Sequence, residues 1–576
     1  MTIKRIISKR AVALTATGLL AAGLAACSSS SSNTPSATGT GSTSTSSAAS
    51  SSSGEVVMES SPENSITDNF NPFVSTAAPQ GMGATGLVYE PLFQFDLANP
   101  TVNYPFLATK YAWSNGGKSI TFTIRQGVKW NDGQPFTPAD VAFTFNYAKQ
   151  YANSKTDDIN LGGLNITSVS TSGNTVTVNF PSPQYMNLLH IAGMVMLPKH
   201  IWSSITNPGH FTDPKPVGTG PYTLGSFTTQ GYTMVANPNY WQAVPVKKVF
   251  FPVYTTNNAA QTALFSQKID WTGNYIPGLQ KNFLDKDPRN GGYEGSNSSG
   301  ALYPNLKTGP TADLAVRQAI DVAINRQLMS TEGESGLEDP VLNVSGITEP
   351  AFSAWLAPSL KGQEVSPTGD AAQAASILQK AGYTKDSSGI FAKGGQELSV
   401  AITTPGDYSD FANDVSLAVQ SLKEAGIKAS FNNVTVNTYN ADAVSGNFQL
   451  LLRWGSGGIT PYQLYAGWLD PALIGSGNGN YERLNDPTVT AELAKLNGDQ
   501  TIAQQTADLA PIEKYVADTL PVIPTTTSAE WCEYTNVHFT GWPTKANPYQ
   551  SCQPSGTNLG TGAGTDEYVL LHLKPA

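Results

Sequence analysis

Five histidines, at positions 190, 200, 210, 538 and 572, are the side chains of this 576-residue chain best suited to acid–base or metal chemistry. None has the spacing of a metal-binding helix, and no Gly-x-Ser-x-Gly sequence offers a nucleophilic serine. The sequence therefore predicts no metal site, no cofactor and no enzyme. A cell-surface hydrolase stays as an alternative, because two of the 43 acidic residues could form a glycosidase carboxylate pair.

The first 26 residues have the layout of a secretory signal peptide, with four basic residues before the short apolar stretch 11–20. That stretch is too short to cross a bilayer whose apolar core is about 30 Å thick. Leu24-Ala25-Ala26-Cys27 resembles the lipobox of bacterial lipoproteins, in which the cysteine is diacylated and becomes the mature N-terminus. We therefore expect residues 1–26 to be removed and Cys27 to anchor the protein to the outside of the cell membrane.

Residues 27–54 follow as a Ser-, Thr- and Gly-rich segment without a charged side chain. Such a composition cannot bury enough apolar surface to fold, so we predict a disordered tether. A flexible coil of this length would reach roughly 30 Å.

Cys532 and Cys552 remain once Cys27 carries lipid. An even number of cysteines in an oxidising compartment predicts a disulfide between them. A two-cysteine metal site is less favoured, because no histidine or further cysteine with ligand spacing accompanies the pair.

The formal net charge is −10, and it becomes −14 when the signal peptide with its four positive charges is removed. An acidic body argues against nucleic acid as a partner, because that binding depends on Lys and Arg neutralising phosphates.

A chain of 576 residues exceeds what one hydrophobic core usually supports, so we expect two or three lobes. Thr137-Pro-Ala-Asp140 predicts a helix start, and residues 169–180 read as a hairpin. An apolar stripe over 316–328 predicts an amphipathic helix. Strands at 398–403 and 448–453 alternate with helices at 371–381 and 414–426, which favours an α/β fold.

The segment from Ile120 to Val141, ITFTIRQGVKWNDGQPFTPADV, resembles the signature of the family 5 extracellular solute-binding proteins of ABC importers. Further landmarks follow in the family's order: Tyr89-Glu-Pro-Leu-Phe93, Leu197-Pro-Lys-His200, Gly218-Thr-Gly-Pro-Tyr222, Val316-Arg-Gln-Ala-Ile320 and Ala381-Gly-Tyr383. In this signature we interpret Trp130 as a core anchor and Asp132-Gly133 as a tight turn.

The resemblance implies a two-lobed α/β fold of the periplasmic-binding-protein type, class II, with an extra subdomain and a hinge that the chain crosses twice. By analogy, residues 55–305 and 530–576 form lobe I with the inserted subdomain, and residues 306–529 form lobe II. It also implies a monomer that encloses a solute by hinge closure and works with an ABC permease and ATPase. A surface lipoprotein that senses a peptide without importing it is the alternative, because it needs the same cleft.

Peptide-binding members of the resembled family commonly place an Asp after a Gly-Trp or Asn-Trp pair in the second lobe. Here no acidic residue follows Trp454 until Asp470, which weakens the peptide interpretation. Aromatic rings stack on sugar rings, so the resemblance favours an oligosaccharide over an oligopeptide. The candidate ligand contacts are Arg453, Trp454, Tyr462, Tyr465, Trp468, Trp531 and Trp542. Core packing is the competing interpretation for each ring, and a structural ion pair is the competing one for Arg453.

Overall fold

The computed structural model describes residues 54–60, 66–74, 77–97, 99, 101–151, 165–296, 298–554 and 565–576. The predicted signal peptide, Cys27 and the tether up to residue 53 lie outside the described residues.

The strands of the described part of the chain are numbered from its N-terminal end. They are β1 (Glu55–Glu59), β2 (Phe93–Phe95), β3 (Asn103–Pro105), β4 (Ala108–Ser114), β5 (Ser119–Ile124), β6 (Ser168–Ser172), β7 (Thr175–Asn179), β8 (Tyr222–Thr228), β9 (Gly231–Ala236), β10 (Lys248–Pro252), β11 (Trp271–Thr272), β12 (Asn290–Gly292), β13 (Ser299–Pro304), β14 (Thr384–Lys385), β15 (Phe391–Lys393), β16 (Gln396–Glu397), β17 (Ser399–Pro405), β18 (Lys428–Val434), β19 (Leu450–Trp454), β20 (Ile523–Thr527), β21 (Glu533–Thr535), β22 (Phe539–Thr540) and β23 (Lys574–Pro575).

The α-helices are numbered in the same way. They are α1 (Ala78–Met82), α2 (Thr85–Val88), α3 (Pro138–Gln150), α4 (Leu188–Ala192), α5 (Lys199–Trp202), α6 (Asn257–Phe265), α7 (Leu279–Asn282), α8 (Leu314–Ala323), α9 (Arg326–Leu328), α10 (Ala371–Lys380), α11 (Ser409–Glu424), α12 (Val436–Ser445), α13 (Pro461–Leu469), α14 (Pro487–Leu496), α15 (Ile502–Thr519) and α16 (Asp566–His572).

Local sequence signals account for several of these elements. Thr137 and Asp140 form the reciprocal capping box that begins α3, as the sequence predicts. The predicted hairpin is β6 and β7, which pair antiparallel. The apolar stripe at 316–328 does not form one helix, because α8 ends at Ala323. Helix α9 begins separately, where the Asn325 side chain accepts a hydrogen bond from Leu328 N.

A seven-stranded sheet, in the order β12-β21-β11-β1-β10-β9-β8, forms the centre of the first lobe. The sheet β4-β5-β7-β6 and helix α3 form an added subdomain. Both share one hydrophobic core, in which Phe122 and Phe145 of the subdomain lie in the same cluster as Tyr232 and Val249 of the larger sheet. Trp130 is fully buried in this core, and Gly133, with φ of +90°, forms the adjoining turn.

A five-stranded sheet, in the order β18-β17-β19-β13-β20, forms the centre of the second lobe. Alternate residues of β19 point to opposite faces, so Leu450 and Leu452 join one apolar core and Leu451 joins another. Helices α8, α10 and α11 cover the first face, and α12 to α15 cover the second. The lobe is therefore a three-layer α/β/α sandwich.

The chain passes between the two sheets twice, after Gly292 and after Thr527. These two crossing segments pair with each other: Glu530 N donates to Gly295 O at 2.7 Å, and Tyr293 N donates to Cys532 O at 3.0 Å. The predicted two-lobed α/β fold with an extra subdomain and two crossings is confirmed. The lobe boundaries at residues 305 and 530 stay a prediction. Strand β13 ends just before residue 305 and pairs with β19 in the second sheet.

The Cys532 and Cys552 sulfurs are bonded in the structure. Both residues are buried, and Trp271 Nε1 donates to Cys552 O at 2.8 Å. The disulfide thus ties the second crossing segment to the C-terminal part of the first lobe.

Replacing both cysteines, Cys532→Ser with Cys552→Ser, should lower the free energy of unfolding by about 3 kcal/mol, because a closed loop of 20 residues restricts the unfolded chain. Denaturant unfolding of the residue 55–576 body measures the loss. Reductant should destabilise the native protein and leave the double variant unchanged. Equal stability of the two proteins would mean that the bond does not restrict unfolding.

Glu90 and Glu567 form a fully buried carboxyl pair in the first lobe. Glu90 accepts hydrogen bonds from Tyr240 Oη and Trp241 Nε1, both at 2.9 Å, and Gln94 donates to Glu567 at 2.6 Å. Burial raises the pKa of Glu90 to about 7. Burial and the nearby charge of Glu90 raise the pKa of Glu567 well above its usual range.

Because the pKa of Glu90 is higher folded than unfolded, its protonated form stabilises the protein below about pH 4, and this stabilisation is lost as the pH rises through about 7. The unfolding free energy of the native protein should therefore fall as the pH rises. In Glu90→Gln this fall should be smaller by up to about 1.4 kcal/mol per pH unit. Urea unfolding between about pH 5 and about pH 8 measures this. The exposed Glu424→Gln should behave like the native protein, and an unchanged slope in Glu90→Gln would contradict the prediction.

Candidate functional site

Three aromatic side chains meet at one edge of the five-stranded sheet, and we call them the aromatic wall: Tyr408, Phe411 and Trp454. Strands β17 and β19 are parallel, so their carboxyl ends share an edge, where α/β sheets commonly bind ligands. Trp454 ends β19 and is 41% exposed. Its ring centroid lies 5.8 Å from that of Phe411 and 6.1 Å from that of Tyr408. The wall can stack on flat or weakly polar ring faces of a solute.

Arg453 lies beneath the aromatic wall. Its guanidinium is 4.8 to 4.9 Å from the ring centroids of Tyr439, Trp454 and Tyr481, and Nη1 donates to Asn440 Oδ1 at 3.2 Å. The side chain is 8% exposed and forms no ion pair within the described part of the chain. The predicted alternative of a structural ion pair is therefore replaced by a cation held among aromatic rings.

Three predicted ligand contacts belong to the core instead. Tyr465 and Trp468 are fully buried and Trp542 is 3% exposed. Each polar atom bonds inside the protein: Tyr465 Oη donates to Ser345 O, Trp468 Nε1 to Tyr303 Oη, and Trp542 Nε1 to Phe539 O. These residues leave the candidate set, because they expose too little surface to meet a solute.

Tyr462 and Trp531 are half-buried at two separate places. Asn497 Nδ2 donates to Tyr462 Oη at 3.5 Å, whereas Trp531 lies in the second crossing segment with its ring 5.3 Å from that of Tyr275. The structure therefore does not bring all the predicted aromatic residues onto one surface. Trp454 is joined instead by Tyr408 and Phe411, which are not among the residues predicted from the sequence. Their position just after strand β17 could have indicated them.

The two lobes contact each other away from the crossings as well. Met186 of the first lobe lies in the apolar core of the second, and its carbonyl accepts from Gln463 Nε2 at 2.9 Å. Nearby, Asn187 Nδ2 donates to Asn497 Oδ1 at 3.0 Å. Near the crossings, Tyr275 Oη donates to Gly333 O at 2.8 Å. These contacts hold the two lobes against each other.

Four carboxyl groups gather beside this last contact, and we call them the acidic cluster: Glu334, Glu338, Asp410 and Asp414. Glu338 accepts from Thr526 Oγ1 at 2.8 Å and from Ala529 N at 2.6 Å. Burial, followed by repulsion from Glu338 and Asp414, raises the pKa of Glu334 to about 12. Burial raises the pKa of Glu338 to about 8 and those of Asp410 and Asp414 above their usual range. These four residues are not among those predicted from the sequence.

The residues that the structure describes contain no group of three or more His, Cys, Asp or Glu side chains that could hold a metal ion. Nor does any of their helices have the length and apolarity needed to cross a bilayer.

The amino-acid sequence is similar to those of known bacterial proteins. The chain is 29% identical over 391 residues to Protein XP55 of Streptomyces lividans. The aligned region covers 66% of this chain and 68% of that protein. It is 25% identical over 453 residues to the periplasmic murein peptide-binding protein MppA of Escherichia coli K12, covering 73% and 79% of the two chains.

A solved structure has the same fold. The mannohexaose-bound oligopeptide-binding protein of a Thermotoga maritima ABC transporter superimposes with a TM-score of 0.81 at 23% identity, over 91% of this chain and 99% of that one. Residues 103–475, more than half of the chain, match the model of the bacterial extracellular solute-binding proteins, family 5. The chain therefore belongs to the family 5 extracellular solute-binding proteins, as its signature segment predicts.

Proposed function

We propose that this protein is a lipoprotein anchored through Cys27 to the outer face of the cell membrane, where it captures an extended solute for an ABC importer. The solute is enclosed between the two lobes by hinge closure and passed to a permease driven by an ATPase. The observation that carries this proposal is the aromatic wall, because an exposed tryptophan at the carboxyl edge of a sheet faces the position where such folds bind ligands.

An oligosaccharide is the solute class that the aromatic wall favours. The rings of Tyr408, Phe411 and Trp454 offer apolar faces to successive sugar rings. The Thermotoga maritima protein with the same fold holds mannohexaose, which supports a sugar chain as a ligand that this architecture can enclose.

An oligopeptide is the second candidate, and the relative from Escherichia coli that binds murein peptides favours it. A peptide sensor that does not deliver its ligand would use the same cleft. Permease and ATPase genes beside the gene for this protein would support the importer role, and their absence would support the sensor.

Thermal unfolding of the residue 55–576 body with panels of oligosaccharides and oligopeptides tests the proposal, since a ligand at about 100 times its dissociation constant stabilises by about 2.7 kcal/mol. A rise in Tm with any member supports solute capture, and a rise with sugars alone supports the sugar class. No rise with either panel would overturn the proposal.

Trp454→Ala should weaken solute binding about tenfold, because it removes the most exposed stacking surface of the aromatic wall. Titration calorimetry with the best solute of the panel measures the change. The matched control is Phe265→Ala, since Phe265 is 45% exposed but lies on α6 of the first lobe. Equal affinity of the Trp454 and Phe265 variants would place the solute elsewhere.

Asn497→Ala should weaken the same binding by about two- to tenfold, mainly through faster dissociation, because it removes the hydrogen bond by which Asn187 of one lobe meets Asn497 of the other. Stopped-flow fluorescence measures the dissociation rate. The exposed Asn478→Ala serves as the control in the same lobe. If the Asn497 variant dissociates at the native rate, this contact does not hold the lobes closed.

A further inference from the structure

The predicted tether joins the first lobe at the amino end of strand β1. Gly54 O accepts hydrogen bonds from Lys247 N at 3.0 Å and from Lys248 N at 3.2 Å, which fixes this end of β1 beside the start of β10. Strands β1, β10 and β11 are parallel, and β12 runs in the same direction because both it and β11 are antiparallel to β21. Both crossing segments therefore meet the seven-stranded sheet at its carboxyl edge, and the tether meets it at the opposite, amino edge.

Four basic residues lie along this amino edge. Lys247 directly precedes β10 and Lys248 begins it. Lys268 lies shortly before β11, and Arg289 directly precedes β12. Because these strands all run in the direction of β1, their amino ends lie side by side. A row of positive side chains therefore borders the place where the tether joins the body.

Two of these four charges are balanced within the protein and two are not. Lys248 Nζ lies 3.1 Å from the Glu55 carboxylate, and Arg289 Nη2 lies 2.6 Å from a carboxylate two residues earlier in the chain. Lys247 and Lys268 are exposed and form no ion pair in the part of the chain that the structure describes. Positive charge is thus concentrated at one edge of a protein whose net charge is negative.

Two exposed apolar side chains lie at the same edge. Val235, near the end of β9, is 37% exposed, and Phe265, the last residue of α6, is 45% exposed. Val235 is the cross-strand partner of Lys248, so the two side chains point to the same face. Helix α6 returns the chain from the carboxyl end of β10 to the amino end of β11, which brings Phe265 to the amino edge. Within the described residues of the first lobe, no other large apolar side chain is as exposed as these two.

We call this surface the tether edge. It consists of Val235, Lys247, Lys248, Phe265, Lys268 and Arg289.

We infer that the tether edge docks on an anionic lipid surface, that of the membrane in which the Cys27 lipid is inserted. This inference rests on the proposed function, which supplies the anchor. Lysine and arginine side chains are attracted to anionic headgroups, and exposed apolar side chains can enter the boundary between headgroups and acyl chains. A second copy of this chain fits the surface less well, because a symmetric contact would bring the same positive side chains against each other.

The tether allows a weak contact to be populated. Two unpaired lysines and two apolar side chains would hold a free protein on a membrane only briefly. A flexible segment as short as the predicted tether keeps the body beside the membrane at an effective concentration on the order of millimolar. With the tether edge on the lipid, the carboxyl edge and the second lobe point away from the membrane, toward arriving solute.

Lysine acetylation by an N-hydroxysuccinimide ester, read by mass spectrometry, tests the inference on the full mature lipoprotein. The protein is placed in vesicles of equal parts phosphatidylglycerol and phosphatidylcholine, and in vesicles of phosphatidylcholine alone. Lys247 and Lys268 should react about threefold or more slowly on the anionic vesicles. Lys428 and Lys514 of the second lobe, whose side chains are 60% and 69% exposed, should react equally on both.

Salt should remove the protection of the tether edge. Raising NaCl from about 0.1 M to about 1 M shortens the screening length from about 10 Å to about 3 Å, so Lys247 and Lys268 should then react equally on both kinds of vesicle.

Reversal of one charge should remove the protection as well. Lys268→Glu should expose Lys247 to the reagent, and Lys247→Glu should expose Lys268, because each variant places a negative charge on the tether edge. Both side chains lie on the surface, so both variants should keep the native Tm. The matched control is Lys514→Glu on α15 of the second lobe, which should leave the protection unchanged.

The inference is overturned if a protein that floats with both kinds of vesicle shows the same lysine reactivities on each, or if the protection persists in both charge-reversal variants. The proposed function would stand in these cases, because flotation demonstrates the anchor. A mature protein that floats with neither kind of vesicle would overturn the lipid anchor together with the inference.

Discussion

Two short backbone segments carry the covalent connection between the lobes, and they are hydrogen-bonded to each other. The bond from Glu530 N to Gly295 O makes them one narrow ribbon, and Glu338 accepts the amide of Ala529 within it. In hinge closure, a few loop residues between two lobes absorb the change in backbone angles. The contacts of Tyr275 with Gly333 and of Asn187 with Asn497 can therefore form and break together when one lobe rotates against the other.

Exposure separates aromatic residues that look alike in the sequence. Trp454 and Trp468 lie 14 positions apart in one aromatic-rich stretch. Trp454 ends the central strand β19 and is exposed, whereas Trp468 lies in helix α13, which packs on the sheet. The sequence alone could identify the stretch, because its composition is unusual. It could not separate a binding ring from a core ring, since this depends on which neighbouring element covers each one.

Elements governed by neighbours in the chain were predictable, such as the capped start of α3 at Thr137 and the hairpin of β6 and β7. The break between α8 and α9 was missed, because the apolar spacing continues while the Asn325 side chain begins a new helix. The family signature predicted the two-lobed architecture. The acidic cluster was not predictable, because it joins residues 334–338 to residues 410–414 through packing, and acidic side chains in loops and on helix surfaces are ordinary features of a sequence.

The position of strand β21 has a consequence for the order in which the protein folds. The second-lobe sheet is built from the continuous segment 299–527, so its strands are all present before the C-terminal part of the chain is. The first-lobe sheet places β21 between β11 and β12, so β12 has no neighbour in that sheet until residues 533–535 arrive. Contacts between such distant segments form slowly. A chain that emerges from its N-terminus can therefore complete the second lobe first, and the first lobe closes its sheet only when synthesis or export is nearly finished.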